Sequence, residues 1–436
     1  MGDDRAIFAE PIKQWIRPFY LKWLYFRLRP EARPPQWKAC WSFPEESLSG
    51  PAAAAEQLPP DILFLPMVDW HARMQRAQHL ARALAASGHR CFYLNPNLGR
   101  QLRHPAWFSR RLRVCRLEER IWEVHGVLAR EPVFHHGLLS AAETRALAAA
   151  FGQLAAAFSI HRPAIICQFP LWTELAAALR DRHSGVLVYD CHDLLAGFSR
   201  IAGEIVAAER RLFEAADVVL FSARSLQRQI LATMPWIETK SLVVPNAADV
   251  SHFPLSSPGQ SVAGYAGALD EWFDIEAVRC AAERNPDCEF ALVGRIEDRR
   301  VLALESLPNV RFHGEVPYDR LPEQLSRFRA AMIPFQITPL TRATNPIKLY
   351  EYFSCGLPVV SAPLPELEPY HDLLYLASTP DQFAAQLARA LAERDESLRL
   401  RRRQLAERES WQARAAVVRA ALSRPEVAVQ ADLGAQ

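Results

Sequence analysis

"TRATNPIKLYEYFSCGLPVV", residues 341–360, reads as a helix set between a polar, proline-marked start and a glycine stop, running into a buried strand. Asn345 or Thr344 suits the capping position, and Pro346 suits the first helical position, where a missing N–H matters little. Gly356 ends the helix, so the expected span is residues 346–355, with "LPVVSAP" as the strand that follows. A helix start presents unpaired N–H groups and the positive end of the peptide dipole, which together favour an anion. Lys348 adds a full charge in that first turn, and Glu351, three residues on, shares its face. A cation followed by a carboxylate along one face suits the diphosphate and ribose hydroxyls of a nucleotide. A capped surface helix with an i,i+3 ion pair is the plainer alternative.

Upstream, the same strand-and-helix alternation extends through the chain. "SVAGYAG", "CEFALVGR", "NVRFHG" and "AAMIPF" are apolar runs of strand length separated by helical stretches. "GYAGALDEWFD" leaves its strand through Gly264 and Gly267, where backbone N–H groups would approach a phosphate closely. Trp272 would stack on a base or fill the core, and Arg295, after "LVG", would clamp phosphate or stand exposed at a strand end. Further back, "DILFLP", a polar loop, "RAQHLARALAASG" and "HRCFYLNPN" make a strand–helix–strand unit with Gly88 closing the helix. "RPAIICQFP", "GVLVYD" and "ADVVLFSA" continue the pattern, and such near-continuous Val/Ile/Leu runs indicate parallel strands covered on both faces. The fold class is α/β: two Rossmann-like doubly wound domains facing a central cleft, the default place for a ligand. The expected divisions are 1–60, a basic aromatic extension; 61–249, the first domain; 250–390, the second; 391–422, C-terminal helices; and 423–436, a frayed tail.

Composition narrows the function. The 436 residues are 50% hydrophobic and 23% charged, an ordinary globular balance, and the net charge of +2 gives no general attraction to nucleic acid. The eight cysteines form no CxxC pair and several lie in apolar runs, as reduced thiols of a cytosolic protein do. The N-terminus has no signal-peptide core, no window reaches the roughly 18 apolar residues of a spanning helix, and no metal-ligand constellation stands out.

The first half contributes two polar stretches at strand ends. In "GVLVYDCHDLLAGF" a strand is followed by Asp190, Cys191, His192 and Asp193, where α/β sheets bind ligands. Asp193 or Asp190 would act as general base toward an acceptor hydroxyl, with His192 assisting; otherwise Asp190 caps the next helix and His192 is structural. The loop "MVDWHARMQRAQH" brings Asp69, Trp70, Arg73 and Arg76 to the same edge as candidate acceptor contacts.

Taken together, "QRAQHLARALAASGHRCFYLNP", "VYDCHDLLAGF", "VVPNAADVSHF", "GYAGALDEWFD", "LTRATNPIKLYEYFSCGLPVV" and "SWQARA" resemble the GT-B-fold bacterial glycosyltransferases of the family 4 and family 1 type, which build exopolysaccharide or teichuronic-acid chains. The resemblance spans about residue 61 to 414. It implies a nucleoside diphosphate sugar held by the second domain and a saccharide acceptor, polyprenyl-linked, held by the first. It matches Lys348 to the pyrophosphate-binding lysine, Glu351 to the ribose-binding glutamate and Asp193 to the base. Gly267, Arg295, Thr344 and Asn345, read from the residues themselves, complete the expected donor site, and the resemblance implies no metal or cofactor. Two positions depart from the pattern. Ala343 stands where many retaining members carry a glutamate that contacts the donor sugar, and Ala247 replaces the glycine of the usual "PNGVD" linker. A sugar-nucleotide epimerase of the same fold and an inactive saccharide-binding scaffold are the competing readings.

In "IKQWIRPFYLKWLYFRLRPEARPPQWKACW", Ile12, Trp15, Ile16, Phe19, Trp23 and Phe26 share one helical stripe flanked by basic residues. That suits an interfacial helix on an anionic leaflet, hence a peripheral place at the inner face of the plasma membrane; packing on the protein's own domains is the alternative.

Overall fold

A computed structural model describes residues 59–98, 113–126, 128, 132, 134–256 and 261–423. The extension expected over residues 1–60 lies outside them except for Pro59 and Pro60, as does the tail beyond Ser423.

The apolar runs of the first half form β1 (Ile62–Leu65), β2 (Cys91–Leu94), β3 (Arg113–Glu118), β4 (Ile121–His125), β5 (Ala164–Cys167), β6 (Val186–Cys191), β7 (Val218–Phe221) and β8 (Ser241–Val243). Every residue of β1, β2, β5 and β7 is buried, as a parallel strand covered on both faces must be. They join one sheet in the order β3-β4-β2-β1-β5-β6-β7-β8. Ile62 of β1 is in register with Cys91 on one side and Ala164 on the other, both parallel, whereas β3 and β4 are antiparallel. The second sheet comprises β9 (Val262–Ala266), β10 (Glu289–Val293), β11 (Val310–Gly314), β12 (Ala330–Ile333), β13 (Val359–Ser361) and β14 (Tyr375–Leu376). Its order is β11-β10-β9-β12-β13-β14, with every pairing parallel.

Local chemistry sets the helix limits. Ser140 accepts from the Glu143 amide while the Glu143 carboxylate accepts from the Ser140 amide, which starts the helix Ala141–Phe158. Gly88, at φ 101, turns the chain after the helix Arg76–Ala86. By internal contacts the chain separates into two compact units. One holds the described residues up to Cys191, Ser199–Val219 and the chain from Arg419; the other holds His192–Phe198 and Leu220–Val418. Among the described residues no helix is long and apolar enough to cross a membrane.

Each strand order contains a reversal that opens a crevice at the carboxyl ends of the strands. In the first sheet the chain moves outward from β1 and returns beside it at β5; in the second it moves outward from β9 and returns at β12. The second reversal is therefore flanked by Gly267, which follows β9, and by Phe335, which follows β12.

Candidate active site

Lys348 stands at this second reversal. Its Nζ lies 4.8 Å from the centroid of Phe335 and 5.3 Å from that of Tyr265, both within cation–π range. A methyl group added at Gly267, where φ is +152, would sit 3.1 Å from Lys348 Cε. Among the described residues no carboxylate pairs with Lys348 and no acceptor takes its Nζ. The i,i+3 ion pair with Glu351 offered as the plainer reading is not formed. Burial lowers the Lys348 pKa to about 8, partly offset by the Glu351 charge. Burial likewise raises Glu351, only 8% exposed, to about 7, partly offset by Lys348.

The helix carrying both residues is Ile347–Ser354, with Pro346 in the capping position and no side-chain cap. This corrects the expected cap. Asn345 is buried and turned elsewhere: its Oδ1 accepts from the Asn246 amide at 3.0 Å and its Nδ2 donates to the Tyr350 hydroxyl at 3.1 Å. Thr344 donates its hydroxyl to the Leu340 carbonyl at 2.9 Å. The first amides of the helix thus have no competing side chain, and the fully buried Tyr352 ties the helix to β9 by donation from the Ala266 amide to its hydroxyl at 2.8 Å.

The glycines separate by role. Gly264 lies inside β9, where an added Cβ would come 2.1 Å from the Phe328 ring, so it serves close packing and not phosphate approach. Gly294, at φ +148, is the tightest: a Cβ there would fall 1.8 Å from the Gly267 carbonyl oxygen. The ends of β9 and β10 meet through this glycine pair, with the Gly267 amide donating to the Val293 carbonyl at 2.9 Å. Arg295 is half-buried and its Nε stands 3.1 Å from the Glu297 carboxylate, so it does not point at a phosphate from an unpaired state. Trp272 packs edge-on to Phe335 and Phe198.

His192 and Asp193 follow β6, half-buried, with His192 Nε2 3.6 Å from Asp193 Oδ2. Their segment is counted in the same compact unit as Lys348. Asp190 is turned into the interior. It is fully buried, takes the Arg76 guanidinium at 2.9 and 3.0 Å and accepts from Gln168 Nε2 at 2.7 Å. Arg76 is correspondingly buried, with its guanidinium held against Asp190. Asp69 and Trp70 are also turned inward. Asp69 accepts from the His71 amide, Asn95 and Asn97. Trp70 stacks edge-on to Tyr93, whose hydroxyl donates to the Val68 carbonyl at 2.6 Å. Of the four residues expected to meet an acceptor, Arg73 alone is not buried.

Sequence reasoning missed what these residues attach to. Glu123, buried on β4, accepts from Asn95 at 2.7 Å, with His71 and His125 nitrogens at 3.2 and 3.0 Å. The paired histidines hold Glu123 well below the usual carboxylate range against burial, and Glu123 in turn raises His125. Phe335 and Tyr265 around Lys348 were also unanticipated; the signal lay in their places, Tyr265 within β9 and Phe335 just after β12, the strands that flank the reversal.

The family described as Glycosyltransferase Family 4 matches residues 75–252, and that described as Glycosyl transferase-like matches residues 275–420. Both halves of the chain, each with its own doubly wound sheet, therefore fall to glycosyltransferase families. The chain belongs to the GT-B-fold glycosyltransferases. A Bacillus subtilis (strain 168) protein named as the teichuronic acid biosynthesis glycosyltransferase TuaH is 25% identical over 252 residues, covering 52% of this chain and 64% of that protein. The match thus spans under two thirds of that relative's length. Sucrose-phosphate synthase from Thermosynechococcus elongatus has a similar fold, with TM-score 0.65, 17% identity and coverage of 83% of this chain and 97% of that one. Anabaena HepE in complex with UDP and glucose aligns with TM-score 0.58 and 16% identity over 84% of this chain and 99% of that one.

Within the GT-B frame the two departures acquire a structural account. Ala343 follows the helix Pro339–Arg342 as its C-terminal cap and is fully buried, so this position presents a buried methyl group and no carboxylate. Ala247 is fully buried too and is not among the residues with positive φ, so the linker does not require glycine at that point.

Proposed function

We propose that the chain transfers a sugar from a nucleoside diphosphate sugar to a saccharide acceptor, lipid-linked, in the assembly of a bacterial surface polysaccharide. The supporting observation is Lys348 without a counter-ion at an uncapped helix start beside the reversal of the second sheet. On this reading the acceptor oxygen attacks the anomeric carbon, the bond from that carbon to the diphosphate oxygen breaks, and the acceptor proton passes to Asp193 with His192 alongside. Lys348 and the first helix amides neutralise the charge growing on the departing diphosphate. Glu351 accepts from the ribose, Gly267 gives the phosphates access to the backbone, Thr344 and Asn345 hold the turn before the helix, and Arg295 joins by exchanging Glu297 for phosphate. This arrangement supplies positive charge from the chain itself and needs no metal ion. Arg73 faces the acceptor, while Asp69, Trp70 and Arg76 shape the loop behind it. Support for a surface polysaccharide comes from the relative named for teichuronic acid biosynthesis, and support for a peripheral membrane location from the basic aromatic residues of the N-terminal segment.

The test is turnover with the donor selected from a thermal-shift panel of nucleotides. Transfer predicts a glycoside that appears only when acceptor is present, and an Asp193→Asn variant that binds donor normally but turns over about 100-fold more slowly or worse. Isomerisation of the donor with no acceptor would instead identify an epimerase, and donor binding without any turnover a scaffold.

A further inference from the structure

The helix start that would receive the diphosphate has no side-chain cap of its own, so something else fixes its direction. Asn345 precedes Pro346, and a residue before proline is confined to extended conformations, which makes its orientation the orientation of the whole turn. The linker after β8 fastens it. The Asn246 amide donates to Asn345 Oδ1 at 3.0 Å, and Asn246 Nδ2 donates to the Asn345 carbonyl at 2.7 Å. On its far side Asn246 is held in turn, because its carbonyl accepts from Arg414 Nη2 at 3.2 Å while Arg414 Nε donates to the Pro245 carbonyl at 3.0 Å. Two residues later the Ala248 amide donates to the Glu409 carbonyl at 3.1 Å. Asn345 completes the set with its bond to Tyr350, one turn into the helix.

We infer that Asn246, a linker residue that touches no reacting atom, is a positioning residue for the leaving-group site; this inference rests on the nucleoside diphosphate reading of that site. Its reciprocal pair with Asn345 aims the Ile347 and Lys348 amides and the Lys348 side chain. Loosening the pair costs phosphate affinity without altering contacts to the base or ribose. A role confined to stability would weaken all ligands alike or lower the unfolding temperature with no selective effect.

The experiment is calorimetric titration of the full chain with the best binder among UDP, ADP, GDP and dTDP, and with the matching nucleoside. It compares wild type, Asn246→Ala, Asn345→Ala, their double variant, Tyr350→Phe and Lys348→Ala. Asn246→Ala is expected to weaken diphosphate binding about tenfold, the scale of one buried hydrogen bond lost with its partner stranded, and to leave nucleoside binding within about twofold. The double variant should lose much less than the sum of the single losses, since the two residues share their bonds. Tyr350→Phe, the gentler change, should shift diphosphate affinity in the same direction and keeps the test available if Asn246→Ala does not fold. Equal losses for diphosphate and nucleoside, or wild-type affinity in Asn246→Ala and Tyr350→Phe while Lys348→Ala is impaired, overturns the positioning role and leaves the site reading standing. Unchanged diphosphate binding in Lys348→Ala as well removes both.

Discussion

Lys348 and Glu351 sit one helical turn apart, and burial moves their proton affinities toward each other, to about 8 and about 7. Because the Glu351 pKa is raised above its ordinary 4.5, the native state holds a proton that the unfolded chain has released between pH 4.5 and about 7. Its contribution is therefore favourable below pH 4.5 and is lost as pH rises through about 7. Glu351→Gln should accordingly unfold at nearly the wild-type temperature near pH 5 and at a higher one near pH 8, with the gap widening between. A gap that is constant or shrinks with pH, in thermal melts across that range without ligand, would show that Glu351 is already ionised at little cost. The same substitution should weaken nucleoside binding, which separates its functional role from its effect on stability. Arg76 and Asp190 illustrate the converse case: polar residues at the expected strand ends whose charges satisfy each other in the interior.

The ends of β9 and β10 are built on one close approach, which makes the glycine pair the most exacting point of the candidate site. Gly294→Ala places a methyl 1.8 Å from the Gly267 carbonyl oxygen, at a φ of +148 that a side chain strains. We expect a loss of ~3 kcal/mol or more in chemical denaturation together with loss of nucleotide binding; a near-neutral variant would mean that the two strand ends do not meet closely at this glycine pair. Elements of this kind were largely legible in the sequence. The strands around Ile62, Ile165, Val188, Ala263, Leu292 and Val360 announce themselves as short apolar runs, and Lys348 and Glu351 are legible because a helix start and its face are local properties. The β3–β4 hairpin was not read, because its strands mix Arg and Glu with apolar residues and its turn carries Arg120 at φ 59 where a glycine would have given the signal. The cap at Asn345 was misassigned for a different reason: its partner, Asn246, is 99 residues away. Arg76 and Asp190 are likewise 114 apart, so no local pattern distinguishes an acceptor contact from a buried pair.

For the whole molecule, matches to two glycosyltransferase families, two doubly wound sheets and a lysine at the second reversal are the observations behind the proposed chemistry at a diphosphate. The basic aromatic N-terminal segment adds a prediction at the same scale. Removing residues 1–58 should abolish sedimentation with vesicles containing anionic lipid while leaving nucleotide binding unchanged; undiminished sedimentation would sink the membrane assignment. The central claim is that the start of the helix Ile347–Ser354, with Lys348, grips the leaving group of an activated sugar. It is tested most directly by a crystal structure with a nucleoside diphosphate bound. The expected result places the terminal phosphate about 3 Å from the Ile347 and Lys348 amides and from Lys348 Nζ. A diphosphate well ordered elsewhere, with Lys348 still facing only Phe335 and Tyr265, would contradict it.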